Sequence, residues 1–172
     1  MGGFSLDSVG AVVGSGRAVI SADDSTVVAA VQDTLRDGRS ATFYLTPEQA
    51  AAVKSWYWTP KRVAERGLEP VSNEELQRIG TELRVEDMGH SYSNRVVCEC
   101  GAVYGAFEFV QQGIAEHGKD QVDAVFDLEG VYVMRVNPVN SAVCPACTRR
   151  ILVGHEYDMT NRYGCCRSEP PV

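Results

Sequence analysis

Six cysteines are the residues of this chain best suited to chemistry: Cys98, Cys100, Cys144, Cys147, Cys165 and Cys166. Four of them fall into two short pairs, Cys98-Glu-Cys100-Gly101 and Cys144-Pro-Ala-Cys147, with 43 residues between the pairs. Thiolates bind zinc at about 2.3 Å, and four of them complete a tetrahedral coordination sphere. Gly101 and Pro145 suit the tight turns that aim successive backbone amides at sulfur. The two pairs are therefore read as halves of one tetrathiolate site with Cys98, Cys100, Cys144 and Cys147 as ligands. Four protein ligands leave no position for water, so the Zn2+ is expected to be structural. An iron–sulfur cluster satisfies the same spacing, and four ordinary thiols are the plain alternative.

The remaining candidates are less constrained. Cys165-Cys166 reads as a spare ligand, a redox pair or plain tail residues. A site with an open position would need a histidine among His90, His117 and His155, and His155 follows Cys147 by eight residues. Trp56-Tyr57-Trp58 is surrounded by Lys54, Lys61, Arg62 and Arg66. Aromatic faces beside cations can stack bases and hold phosphate, and the same residues can close a helix by packing into a core. Trp56, Trp58, Lys61 and Arg62, with Arg149 and Arg150 beside the second cysteine pair, are the candidate partner contacts. Ser91 and Ser93 lie near His90, but no third group orients them, so no catalytic residue is assigned. Gly10 to Gly16 lacks the Gly-Lys-Ser/Thr ending of a phosphate loop. Asp120, Asp123, Asp127 and Glu129 read as a solvated face.

The elements that must position the cysteines follow from local signals. Arg17–Ser21 is a strand candidate. Asp23, Asp24 and Ser25 supply N-cap chemistry for a helix carrying Val27, Val28, Val31 and Leu35, which Gly38 ends. Residues 41–45 read as a strand. Thr46-Pro47-Glu48-Gln49 opens a helix to about Tyr57 with a capping box. Thr59-Pro60 opens another to Arg66, closed by Gly67, and Ser72 to Glu75 is a further capping box. Residues 86–94 read as a loop and 95–97 as a strand entering the first pair. Tyr104, Phe107, Val110, Gln111 and Ile114 keep a helical period up to Gly118. Residues 121–126 suggest another helical turn, 130–136 a strand, and 150–153 a strand returning from the second pair.

Around residues 96–102 and 142–153 the arrangement resembles the two knuckles of a zinc ribbon, with Thr148 where a glycine usually follows the second pair. Cys98-Glu-Cys100-Gly-Ala-Val is also similar to the opening of the glutathione-dependent formaldehyde-activating family. That family's further C-x-C-x-x-C element is absent here, so its activity is not carried over.

The expected fold is α+β. A helical N-terminal half with short strands precedes a C-terminal half whose zinc-ribbon-like element contains an inserted helix and strand. The expected divisions are a flexible N-terminus (1–16), a helical α+β subdomain (17–88), a zinc-binding subdomain (89–155) and a mobile tail (156–172). At 172 residues and 44% hydrophobic, the chain can bury a core. A formal charge of −7 lacks the bulk electrostatic footprint of a nucleic-acid binder. No basic n-region, secretion signal or membrane span is apparent, so a reducing, cytoplasmic setting is expected, where short cysteine pairs bind metal rather than form disulfides. The functional expectation is a zinc-stabilised accessory protein with a protein partner. The alternatives are a small zinc-containing enzyme using Cys or His near the metal, and a nucleic-acid-binding zinc protein that uses the local basic-aromatic patch.

Overall fold

The computed structural model describes residues 23–38, 41–86, 88–89, 91–126, 132–137, 142–151, 157–159 and 163–167. Arg17–Ser21, the N-terminal residues 1–16, His90 and His155 lie outside them. Helix α1 (Asp24–Arg36) starts where Asp23 accepts the Thr26 N–H. The Ser25 hydroxyl, with the Thr26 N–H, holds the Asp23 carboxyl below the usual carboxylate range. Strand β1 (Ala41–Leu45) leads into α2 (Pro47–Tyr57), whose start is the capping box expected of Thr46 and Gln49. Helix α3 (Pro60–Arg66) begins at the Thr59 cap and ends at Gly67, whose φ of 58° needs the freedom of glycine. After β2 (Glu69–Pro70), α4 (Asn73–Arg78) runs into a π-helical turn, Ile79–Leu83.

Strand β3 (Ser91–Ser93) is followed by two strands that flank the first cysteine pair, β4 (Val96–Val97) and β5 (Val103–Tyr104). Helices α5 (Ala106–His117) and α6 (Lys119–Phe126) precede strand β6 (Tyr132–Asn137). The second cysteine pair lies between β7 (Ala142–Val143) and β8 (Arg150–Ile151), and β9 (Tyr157–Met159) and β10 (Tyr163–Arg167) follow. The fold is α+β, with the N-terminal half mostly helical.

Six strands form one sheet in the order β1-β6-β10-β9-β3-β2. Only β6 and β10 run parallel; the other neighbours are antiparallel. Two stretches differ from their sequence reading. Residues 86–94, expected as loop, contain β3, and residues 156–172, expected as a mobile tail, contribute β9 and β10. Neither stretch shows a clean alternation of apolar and polar residues. Their strand state comes from backbone hydrogen bonds to partners distant in sequence, a signal that local pattern does not carry. Residues β1 and β6 pair from Ala41 opposite Val136 to Leu45 opposite Tyr132, so the strand inserted between the cysteine pairs is bonded to the N-terminal half.

Three apolar clusters fill the interior. Val27, Val31, Phe43, Leu45, Ala50, Val53, Tyr57 and Met134 join α1, α2, β1 and β6. Ile79, Val85, Ala106, Phe107 and Val110 join the π-helical turn to α5. The third cluster combines Val96, Tyr104, Ala142 and Ile151 with Cys98 and Cys144.

Helix α5 is tied to α4 by a carboxylate. Ser72 accepts the Glu75 N–H, as a cap should. The Glu75 side chain does not turn back to complete the expected box. It accepts the Phe107 N–H at 3.1 Å and pairs with Arg95 at 3.2 Å. Glu108 accepts the Gly105 N–H at 2.9 Å, so two carboxylates meet the positive end of α5. A Cβ on residue 105 would lie 3.1 Å from the Glu75 carboxylate, tight enough that the carboxylate would have to give way slightly. Replacing Glu75 by Ala is expected to cost about 1–2 kcal/mol in urea unfolding. Glu74→Ala, at the exposed neighbouring position, should stay within about 0.5 kcal/mol.

Candidate metal centre

The two cysteine pairs sit at the tips of two small hairpins. In the first, Val96 pairs with Tyr104 and Val97 with Val103; in the second, Ala142 pairs with Ile151 and Val143 with Arg150. Backbone bonds close each tip. Gly101 N donates to Cys98 O at 2.8 Å and Cys98 N to Ala102 O at 2.8 Å. In the second hairpin, Thr148 N donates to Cys144 O at 2.8 Å and Cys144 N to Arg149 O at 2.9 Å. The residue after the second cysteine of each pair has a positive φ, 87° at Gly101 and 59° at Thr148. Glycine adopts this conformation freely, whereas a β-branched residue is strained in it. The Thr148 hydroxyl donates to Cys147 O at 2.7 Å.

All four sulfurs lie within 4.8 Å of one another. Cys98 Sγ is 3.5 Å from Cys147 Sγ, and Cys100 Sγ is 3.7 Å from Cys144 Sγ. Ligands about 2.3 Å from a tetrahedral centre are separated by about 3.8 Å along each edge. The two close sulfur pairs are near that edge, so these four cysteines can hold a metal ion. The expected ligand set is thus brought together across its 43-residue gap. Among the described residues no other group of His, Cys, Asp and Glu has metal-holding geometry.

The thiols are unequal. The backbone N–H of Cys147, helped by that of Ala146 and by neighbouring thiols, lowers Cys144 to about 7 against the opposing effect of burial. At Cys147 the backbone N–H of Arg149 also pulls downward. Burial and the sulfurs of Cys98, Cys100 and Cys144 outweigh it and push the thiol up to about 12. Crowded sulfurs cannot all ionise without a compensating cation.

Helix α5 supports both hairpins through Gln112, a residue that sequence reading passed over. Its Oε1 accepts the Tyr104 hydroxyl at 2.6 Å and the Val143 N–H at 3.0 Å. Tyr104 belongs to the first hairpin and Val143 to the second. A lone glutamine on a half-buried helix face gives no local sign of this bridge. Arg149 and Glu99 also span the hairpins, at 3.1 Å, but their side chains are exposed, and such a pair contributes about 0–1 kcal/mol.

The aromatic triplet is placed elsewhere. Tyr57 is 2% exposed in the first core cluster, and half-buried Trp56 and Trp58 pack against that cluster. Arg62 lies over the Tyr57 ring at 4.3 Å, Lys54 over Tyr132 at 5.4 Å, and Lys61 approaches Glu65 at 3.7 Å. Arg150 is exposed on β8. Cys165 and Cys166 lie in β10, in register with Arg135 and Val136 of β6. His117 ends α5 beside Glu116. No helix among the described residues is long and apolar enough to cross a membrane. Comparison of the chain with protein-family models, curated proteins and solved structures finds no match.

Two outcomes follow from this geometry. Thr148→Gly should stabilise the protein by about 1 kcal/mol by relieving the left-handed backbone, and Gly101→Ala should destabilise it by a similar amount; thermal unfolding of both variants checks the pair. Metal binding must displace the proton that Cys147 retains up to about 12. Loading should therefore release protons into a weakly buffered solution, and affinity should fall as pH falls, as measured by competition with a chelator.

Proposed function

We propose that the protein is a zinc-stabilised accessory protein that binds a macromolecular partner, protein first and nucleic acid second, in a reducing cytoplasmic setting. The observation that carries this reading is the mutual approach of Cys98, Cys100, Cys144 and Cys147, whose sulfurs all lie within 4.8 Å. Four thiolates saturate tetrahedral zinc and leave no position for a substrate or an activated water. Such an ion adds folding free energy instead of catalytic power. Here it would join two hairpins that each pair through only two residues per strand. Isolated hairpins of that size are marginal in water.

Support for a protein partner comes from the surface of the same hairpins. Val97, Val103 and Val143 are 64%, 46% and 37% exposed, and they are the large exposed hydrophobic residues among those described. All three flank the cysteine tips, while Lys54 and Arg62 lie over rings of the chain itself and Lys61 pairs with Glu65.

Elemental analysis of protein purified under reducing conditions should find about one zinc per chain. Cys98→Ser, Cys100→Ser, Cys144→Ser and Cys147→Ser should each lower that content and the unfolding temperature, whereas Cys165→Ser and Cys166→Ser should retain both. Metal-free native protein would overturn the reading, and dependence on Cys165 would reassign the ligands. Val97→Glu and Val143→Glu should keep the zinc yet abolish capture of proteins from a host extract. Loss of capture on nuclease treatment would transfer the partner to nucleic acid.

A further inference from the structure

The four cysteines of the sulfur centre differ in how exposed they are. Two sulfur contacts cross between the hairpins: Cys98 with Cys147 at 3.5 Å and Cys100 with Cys144 at 3.7 Å. Each contact joins a buried cysteine to a more exposed one. Cys98 and Cys144 are 6% and 1% exposed, whereas Cys100 is exposed and Cys147 half-buried. This is the arrangement of an oxidisable thiol with a resolving thiol beside it.

We propose that the four cysteines form a two-pair thiol–disulfide switch, in which hydrogen peroxide oxidises Cys100 and Cys147 and the buried Cys144 and Cys98 resolve them into two disulfides that cross-link the hairpins as the metal leaves. The proposal rests on the reading of the centre as a metal site and adds its regulation.

In each pair the more exposed cysteine, which would be held as a thiolate while it ligates the metal, attacks one peroxide oxygen. The O–O bond breaks, a sulfenic acid forms, and hydroxide leaves and is protonated to water. The buried thiolate then attacks that sulfur. An S–S bond forms, the S–O bond breaks, and a second hydroxide leaves and is protonated. Two thiolates lose two electrons, and one hydrogen peroxide molecule and two protons become two waters. Both pairs together turn four thiolates, two peroxides and four protons into two disulfides and four waters, leaving no thiolate to hold a divalent ion.

The contacts at 3.5 and 3.7 Å already run along this connectivity. Each sulfur pair must close only to the S–S bond length of about 2.05 Å. Bridging Cys98 to Cys100 would have to reshape a tip whose backbone is held by the Gly101 N–H to Cys98 O and Cys98 N–H to Ala102 O bonds. Cross-hairpin bonds would keep joined the two hairpins that the ion had joined, so the oxidised chain should remain folded and recover its metal after reduction.

The test uses the full chain purified with its metal content measured beforehand. It is titrated with hydrogen peroxide while released zinc is read with a chelating dye, and disulfides are mapped by mass spectrometry after blocking free thiols. The expected result is about one ion released per two equivalents of peroxide. Cys98–Cys147 and Cys100–Cys144 should be the bridges, with full re-loading after dithiothreitol and added zinc. In Cys100→Ser, whatever its metal content, the Cys98–Cys147 bridge should still form and Cys144 should gain no partner from the other hairpin. Bridges of Cys98 to Cys100 or Cys144 to Cys147, bridges to Cys165 or Cys166, irreversible over-oxidation, or zinc retained through the titration would each overturn the switch. Absence of metal before any peroxide is added would instead overturn the metal-site reading itself.

Discussion

Four sulfurs from two hairpins share one small volume, and the C-terminal half is organised around that crowding. Thiols so close to one another cannot all ionise in isolation, because each negative charge raises the cost of the next. Backbone N–H groups bring Cys144 down to about 7, whereas at Cys147 the Arg149 N–H is outweighed by burial and the surrounding sulfurs, which push it up to about 12. A bound cation removes the conflict, and protons or disulfide bonds remove it in other ways. The same proximity thus underlies the capacity to hold a metal ion and the proposed responses to protons and oxidants.

Such proximity needs scaffolding that two-residue strands cannot supply alone. Helix α5 provides much of it. Its N-terminus is held by Glu75 from α4 and by its own Glu108, and Gly105 leaves room for both. One turn and more along the helix, Gln112 reaches both hairpins through a single carbonyl oxygen. The helix therefore links the α4 cluster to the sulfur centre by polar contacts as well as by Phe107 and Val110. Between the cysteine pairs the chain also supplies β6, which pairs with β1 and β10 and contributes Met134 to the first core cluster. The long interval between the pairs is thus occupied by elements that bind the two halves of the molecule together.

The hairpin tips show how local backbone demands shape a metal-holding turn. Both need a residue with positive φ immediately after their second cysteine. The first meets this need with Gly101 and the second with Thr148, whose hydroxyl bonds to the carbonyl of Cys147. A strained residue beside a functional cysteine is a common compromise, retained because the surrounding bonds determine the backbone. The arginine beside it, Arg149, is occupied with Glu99 and spans the two tips.

Local chemistry determined the caps at Asp23, Thr46, Thr59 and Ser72, the glycine stops at Gly38 and Gly67, and the four cysteines that can share an ion. These features depend on residues a few positions apart, so short stretches of sequence contain all the necessary information. Tertiary structure decided the rest. It set Glu75 on the Phe107 amide instead of its own cap, enlisted Gln112 as a bridge, and made strands of 91–93, 157–159 and 163–167. It also buried Tyr57 and set Trp56 and Trp58 against the same core. Each outcome depends on hydrogen bonds and contacts between distant segments, and a side chain acquires those partners only when the chain has folded.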